Sequence, residues 1–566
     1  MKNIKIDGEL YETDKEYLLD VLNEFGFEIP SLCNHPDLEP NASCRMCLVE
    51  VNGKVVTSCN QKVIDDMEVI TNTKELTEKR KINLELILAN HNVNCDVCFM
   101  NGYCELQDLS EKFDIEKLPK ILESSKKKNH YKDNSSNAIK INSRQCILCG
   151  RCVEICDKQG INTLDYSKRG YDTRISTSFN LPIADTGCIS CGQCTLHCPT
   201  SALLEKDDIN DVLSIINDKE NYVVAQIAPA IRVSLGEMFG FEGNVKEKIP
   251  SALKKLGFDS VVDTSVGADM TIMEEAMELI DRIKNNKEMP MFTSCCPAWV
   301  NYVEFNEKDL IDNLSSTKSP QIILGHIIKK IYSKKLNIDK ENVKVVSIMP
   351  CTAKKVEINR VELRKDVIPV DYSLTTRETA KLLKQVGINL VDVNNSSFDE
   401  IIPTSSSAGE IFGASGGVTE AALRTAHYFI SGNNPNELEI KPLRGLDNVK
   451  VYSTKILNTK IKVGIVNGVG NFEKIKDSLN NYDFIEVMAC PGGCIGGGGQ
   501  PQPHSIKKVN SRKDNLYKID DESEIRLCHE NPLIKEIYNK FYDKPLSEKA
   551  ESELHTKYIP KGKYPE

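Results

Sequence analysis

Between Cys146 and Cys198 the chain writes one spacing twice, Cys-x2-Cys-x2-Cys-x3-Cys, as CILCGRCVEIC and CISCGQCTLHC. Whatever fold it adopts must gather sulfur in fours at two points, and the spacing is that of the ligands to a pair of [4Fe–4S] clusters. In this motif the fourth cysteine of each run crosses to the other cluster. Cys146, Cys149, Cys152 and Cys198 are therefore expected at one site, and Cys188, Cys191, Cys194 and Cys156 at the other. Disulfides and tetrahedral zinc are the competing readings of such pairs. The reading preferred here is a chain that carries electrons.

At 566 residues the chain is long enough for several domains. Four more cysteines, Cys33, Cys44, Cys47 and Cys59, fall in its first 60 residues with the spacing C-x10-C-x2-C-x11-C. That is close to a plant-type [2Fe–2S] loop, in which a long excursion delivers three ligands and a later strand the fourth. MKNIKIDGELYE, CLVEVNGKVVTSC and MEVIT read as short strands, and TDKEYLLDVLNEFG as one amphipathic helix opened by Thr13, which together suggest a small β-grasp domain. A third group follows in HNVNCDVCFMNGYC: His91, Cys95, Cys98 and Cys104. Alone, one histidine and three cysteines suit zinc as well as iron. Lying between two iron–sulfur modules, they are read as a His/Cys3 [4Fe–4S] site.

Fifteen of the 21 cysteines lie in the first 200 residues. From about residue 207 the texture changes to β-branched runs alternating with helical patterns: YVVAQIA, FDSVVDT, MPMFTS, VKVVSIMP, KIKVGIVNG and FIEVMA. Strands interleaved with helices imply an α/β domain with parallel sheets covered on both faces. Three of these strands run straight into cysteine, at Cys295–Cys296, Cys351, and Cys490 with Cys494. In open α/β sheets ligands sit beyond the carboxyl ends of strands, so the three loops can converge on one buried inorganic site. The glycine run 492–499, broken only by Cys494 and Ile495, lets backbone approach a bulky group there.

The three loops read TSCCPAW, MPCTAKKVE and EVMACPGGCIGGGGQP, and with them the chain resembles the iron-only, or [FeFe], hydrogenases over nearly its whole length. The C-terminal ENPLIKEIYNKFYDKPLSEKAESELHTKY resembles that family's tail. The resemblance implies one [2Fe–2S] cluster, three accessory [4Fe–4S] clusters and an H-cluster. The H-cluster is a [4Fe–4S] cubane joined through a cysteine sulfur to a diiron centre carrying CO, cyanide and a bridging azadithiolate. By motif position Cys296, Cys351, Cys490 and Cys494 would hold the cubane, with Cys494 bridging to the diiron unit.

Cys295 and Cys528 are then left over. A buried cysteine is often a small hydrophobe, and Cys528 in IRLCHEN is read as structural. The resemblance makes Cys295 instead the first protein proton donor to the bridging amine. In TIMEEAMELIDRI the apolar residues Ile272, Ala276, Leu279 and Ile283 form a helical stripe with Glu275 at its edge. Glu278 and Arg282 share a face with it. A charge run of this kind is ordinarily a solvated face, whereas the resemblance implies a proton channel from Glu278 through Ser315, Glu275 and a water to Cys295. It also implies that Lys354 reaches a cyanide ligand and that Ala228, Pro229, Ser294, Met349 and Met488 line the cavity. Where many relatives have glycine, this chain has Ala298. Alanine resists backbone angles that glycine permits, so the loop is expected to alter how far Cys295 can travel, with its sulfur a possible reversible cap on the distal iron under oxidising conditions.

The domains expected are a plant-type [2Fe–2S] domain (1–79), a His/Cys3 domain with linker (80–141), an α+β bacterial-ferredoxin-like 2[4Fe–4S] domain (142–206), the α/β H-cluster domain (207–504) and a helical tail wrapping it (505–566). Net charge is −10, which argues against nucleic acid or an anionic membrane as partner. The N-terminus MKNIKIDGELYET carries no hydrophobic leader core, so a cytoplasmic protein is expected, and a reducing compartment favours metal over disulfide. The basic KLPKILESSKKKNHYK (117–132) reads as a solvated linker or a docking patch for an acidic carrier. VGIVNGVGNF lacks the GxGxxG fingerprint and is discounted as a nucleotide site. The activity implied is reversible reduction of protons to H2, with ferredoxin or flavodoxin as electron partner and maturation proteins supplying the diiron centre; monomer and homodimer both stay open. A hydrogen sensor, an iron–sulfur assembly factor and an electron-input subunit of a larger complex are the alternatives.

Overall fold

The computed structural model describes residues 1–115, 131–364, 366–403 and 405–563. The basic linker expected over 117–132 therefore lies, up to residue 130, outside the described residues.

The first 70 residues form a five-stranded mixed sheet in the order Glu9–Thr13, Lys2–Ile6, Met67–Ile70, Leu48–Val51, Lys54–Thr57. Leu18, Val21 and Leu22 of one helix pack on Ile4, Ile6, Val49 and Val69 of this sheet. That helix is Leu18–Glu24, not one opened at Thr13. Thr13 ends the second strand, where pairing with Lys2 holds its backbone extended, and its hydroxyl accepts from the Lys15 amide 3.1 Å away. The next helix, Lys74–Asn90, is capped by the Thr73 side chain and stops at His91.

The twin cysteine runs follow. Helices Arg151–Lys158 and Gln193–His197 each start from a glycine in the left-handed region, Gly150 at φ 82° and Gly192 at φ 70°, a geometry that residues with a Cβ resist. These turns aim the cysteines of each run inward, beside the short sheet Leu203–Glu205, Ile139–Asn142, Lys132–Asp133.

The large domain holds two four-stranded sheets. One is wholly parallel, ordered Ser260–Asp263, Tyr222–Ile227, Val343–Met349, Tyr372–Thr375. The other is ordered Met291–Phe292, Phe484–Met488, Thr459–Asn467, Val449–Ile456, parallel except for its last pair. Along Tyr222–Ile227, Val224 enters one core while Val223, Ala225 and Ile227 enter another, so both faces are covered, as the unbroken apolar runs require. All six expected strands are present. Tyr372–Thr375 and the half-exposed edge strand Val449–Ile456 have no apolar run to reveal them. Among the described residues, no helix is long and apolar enough to cross a membrane.

Residues past 505 form helices Ile506–Glu522, Pro532–Ile537 and Glu548–Leu554, which lie on the large domain. Arg512 reaches Glu237 and the Ile495 carbonyl, Asn531 donates to Asp269, and His555 faces Glu274.

The glycine run does most of its work against protein backbone. A Cβ on Gly497 would stand 2.3 Å from the Pro350 carbonyl oxygen, and one on Gly498 would stand 2.3 Å from the Cys191 oxygen and 2.5 Å from the Gly192 Cα. The run is thus a seam between the large domain and the second cysteine turn. Only Gly493 and Gly497 of the run border the cavity described below. Gly498→Ala is expected to force that seam apart at an overpacking cost of about 1–3 kcal/mol. Differential scanning calorimetry of the cluster-loaded protein should show a lowered Tm; an unchanged Tm would mean that the two loops separate freely.

Candidate metal centre and its relays

The carboxyl ends of the two sheets face a common cavity of about 80 Å³. Strand Tyr222–Ile227 delivers Ala228 and Pro229, and Val343–Met349 delivers Met349 and Cys351. Met291–Phe292 leads to Cys295 and Cys296, and Phe484–Met488 to Met488, Cys490 and Cys494. Cys295, Cys296, Cys351, Cys490 and Cys494 form no disulfide, which removes that reading for the cavity. In the cavity, burial raises Cys296, Cys351, Cys490 and Cys494 above the ordinary thiol range, and mutual repulsion raises the last three further. Four such sulfurs cannot ionise together in a buried space without compensating positive charge. The donor set therefore fits a metal cluster.

Lys354 is the ammonium at this wall. Burial alone would depress it, but the Glu357 carboxylate 2.9 Å away holds its pKa above the ordinary lysine value. Its Nζ also donates to the Cys295 carbonyl at 3.1 Å. Ser294, expected among the lining residues, is not one of them: its hydroxyl donates to the Thr317 carbonyl at 2.8 Å, and its amide faces Glu275. The strand-to-helix turn swings Ser294 to the far side from Cys295. Sequence reasoning missed Gln321, Thr264 and Phe412, which border the cavity, and Glu357, which charges the lysine. Only the i, i+3 spacing of Lys354 and Glu357 could have signalled any of them.

Helix Ser265–Asn285 is buried around most of its circumference, not along one stripe. This encloses the acidic residues. Glu275 is fully buried, and burial followed by the charge of Glu278 pushes its pKa up to about 8. Its Oε1 accepts from the Ser294 amide at 3.5 Å, while Oε2 has no protein partner. Ser315 donates to Glu278 Oε2 at 2.9 Å. Arg282 grips Glu278 Oε1 at 2.7 Å and also donates to the Leu314 carbonyl, so it orients the carboxylate and the Ser315 loop together. Burial, then the neighbouring Glu275, keeps Cys295 well above the ordinary thiol value and thus protonated. Ala298 is the second residue of helix Pro297–Asn306 with no positive φ. The conformation there suits alanine, and the expectation of an altered loop finds no backbone basis. Cys528 is fully buried against the Thr425 hydroxyl at 3.0 Å, as a structural residue should be.

The remaining cysteines fall into four further groups. Cys33 makes hydrogen-bond contact with Cys44 and Cys59, and Cys47 with Cys59. Cys156, from the first twin run, borders one apolar cavity with Cys188, Cys191 and Cys194, while Cys149 and Cys152 feel the charges of Cys146 and Cys198. The crossing of the fourth cysteines is therefore present in the fold. His91 is buried with Nδ1 unpartnered, and burial lowers its pKa to about 4, which leaves the neutral imidazole that binds metal. Cys98 and Cys104 of that group touch Ser201 and the Pro199 carbonyl, just beyond Cys198. Cys490 in turn faces the Cys191 carbonyl at 3.8 Å.

Residues 221–498 match the family described as iron only hydrogenase large subunit, C-terminal domain, and residues 506–561 the iron hydrogenase small subunit. Upstream, residues 2–74 match a 2Fe-2S iron-sulfur cluster binding domain, 80–119 the NADH-ubiquinone oxidoreductase-G iron-sulfur binding region and 145–202 a 4Fe-4S dicluster domain. Iron hydrogenase 1 of Clostridium pasteurianum is 39% identical, covering 99% of this chain and 100% of that protein. The NADP-reducing hydrogenase subunit HndD of Solidesulfovibrio fructosivorans is also 39% identical, over 99% of both. Among solved structures, apo [FeFe]-hydrogenase HydA1 from Chlamydomonas reinhardtii matches with TM-score 0.57 and 34% identity over 63% of this chain and 100% of that one. A cavity walled by cysteines at the strand ends, with cysteine groups leading to it and full-length relatives of this kind, makes the chain a member of the iron-only, or [FeFe], hydrogenase family.

Proposed function

We propose that the chain interconverts protons and H2. The observation that carries this is one cavity lined by four cysteine sulfurs, with a fifth, protonated thiol on its wall beside a carboxyl whose pKa is pushed up to about 8. Cys296, Cys351, Cys490 and Cys494 are the residues that would hold the cubane of an H-cluster, with Cys494 also bridging to its diiron unit. When bound, that group supplies the redox chemistry and an open metal position for hydrogen.

The chain's own residues bring protons and exclude water. Cys295 holds a proton at Sγ on the cavity wall. Glu275 exchanges protons near neutrality, and its unpartnered Oε2 suits a water bridging towards Cys295. Ser315 Oγ joins that carboxyl to Glu278, and Arg282 positions Glu278. Lys354, held charged by Glu357, offers its ammonium to an anionic ligand of the cluster, while Ala228, Pro229, Met349 and Met488 keep the space dry. Electrons would enter through the [2Fe–2S] group at Cys33, Cys44, Cys47 and Cys59 or the His91, Cys95, Cys98 and Cys104 group. They would leave the twin-cluster domain at Cys191, next to Cys490. Ferredoxin or flavodoxin in the cytoplasm is the donor we assign. An assembly-factor role, suggested by 29% identity to the cytosolic Fe-S cluster assembly factor narfl of Xenopus tropicalis over 64% of this chain and 81% of that one, has no need of this proton route.

Iron analysis of fully matured protein should give about 20 irons per chain, and about 18 without the diiron maturation machinery, with infrared bands of CO and cyanide only in the former. A value near half of this, or full activity without maturation, would overturn the assignment. Cys295→Ala should keep those infrared bands but lower turnover by about 10²–10⁴-fold, the range for loss of a positioned acid–base group. Cys296→Ala should lose the cofactor bands themselves, so equal behaviour of the two variants would dissolve their separate roles.

The pH dependence follows from Glu275. Below about 8 it carries the proton it must deliver, and above that it is a carboxylate able only to accept. H2 evolution at saturating reductant should fall as pH rises through about 8, H2 oxidation should not share that fall, and Glu275→Gln should remove the inflection together with most of the rate. An unshifted inflection in Glu275→Gln would place the titration elsewhere.

A further inference from the structure

Three histidines far apart in sequence meet where the N-terminal, twin-cluster and large domains touch. The rings of His35 and His197 lie 4.6 Å apart between centroids, and those of His197 and His504 5.3 Å. All three are buried, and Asp37 sits among them, with Oδ2 3.8 Å from His35 Nδ1 and 3.7 Å from His504 Nε2. The ligand atoms of His35, Asp37 and His197 fall within 4.8 Å of one another. None of these groups belongs to the cysteine sites or to the proton route.

The hydrogen bonding of His197 is the telling feature. Its Nδ1 bonds the Gln193 carbonyl at 2.8 Å, which places the proton there and leaves a lone pair on Nε2. That Nε2 is buried with no partner, in a side chain only 3% exposed, and Asp37 Oδ2 is likewise unpartnered. An imidazole fixed through one nitrogen by a backbone carbonyl and open at the other is how proteins orient a metal-binding histidine. The surroundings are pinned as well. Gln502 donates to the Thr195 and Leu196 carbonyls, holding the His504 loop against the His197 helix, and Lys158 donates to the Asp37 carbonyl. Of the other cations nearby, Arg151 is neutralised by Glu105 in a two-bond pair, and Arg512 by Glu237, which Lys508 also faces.

We propose that His35, Asp37 and His197, with His504 at the fourth position, bind one divalent zinc ion that ties the three domains together. Neutral imidazoles and a carboxylate suit that ion, whose bonds of about 2.0–2.2 Å space tetrahedral ligands by roughly 3.3–3.6 Å. Closing on it takes side-chain shifts of the order of 1 Å and exchange of the 3.2 Å bond that the Asp37 amide now donates to His35 Nδ1. Zinc here would be structural, since four protein ligands leave no open position.

The test is elemental analysis and zinc-edge X-ray absorption on the cluster-loaded full chain, purified without air from zinc-supplemented cells. The expected result is about one zinc per chain with only nitrogen and oxygen neighbours at about 2.0 Å. Asp37→Asn and His197→Leu should each lose that zinc at unchanged iron content. Should His197→Leu lose iron as well, because it adjoins Cys198, Asp37→Asn decides. Absence of zinc from the unaltered protein, sulfur neighbours in its spectrum, or full zinc in Asp37→Asn would each overturn the site.

Discussion

Burying sulfur where two sheets end is the constraint around which the molecule is arranged. Thiols packed together in a dry space resist ionisation, as the raised values of Cys351 and Cys490 record, and only a bound cationic group makes the arrangement favourable. That demand explains why three separate strands stop at cysteine, and why Cβ-less residues thread between their loops. It also explains why the acidic helix Ser265–Asn285 is enclosed. Enclosing Glu275 beside that cavity dries it, and the cost is the rise in its pKa. The same burial that would be a defect in an ordinary core sets the group near the pH at which it works.

The seam between the twin-cluster domain and the large domain carries a second demand, short distance. Electron tunnelling falls off steeply with separation, so side chains at this seam would slow it. The closest approach is backbone on backbone, Gly498 against Cys191 and Gly192, and the Thr352 hydroxyl donates to the Ser190 carbonyl at 2.7 Å beside it. Arg377 locks it, bonding Glu205 of one domain and the Gly498 and Gln500 carbonyls of the other. A buried ion pair of this sort adds little net stability after desolvation, but it fixes one register. Here register is what electron transfer needs.

Much of this was written locally in the sequence. Cysteines two or three residues apart start close in space, so the spacing already pointed to the neighbours that Cys156 and Cys198 have in the fold. Six strands of the large domain were readable because they lie in apolar runs that the fold buries. Three things were not. Thr13 looks like a helix cap, but strand pairing with Lys2, a tertiary fact, claims it first. Ser294 sits beside Cys295 in sequence and on the opposite side of the chain in space, a direction that motif position does not record. His35, His197 and His504 have no periodicity to betray them, since only the docking of domains brings them together.

Ala298 shows how a correct observation can lead to the wrong physics. Alanine in place of glycine suggests a stiffened or redirected loop only if the position needs glycine's angles. In the fold it is the second residue of a helix, where alanine is favoured over glycine by about 1 kcal/mol. The substitution then firms the helix that starts at Cys296, while the Lys354 ammonium holds the Cys295 carbonyl from the other side. With the backbone secured at both ends, what freedom Cys295 retains lies in rotation about its own χ1. A single-bond rotation can redirect the thiol without any displacement of the neighbouring Cys296.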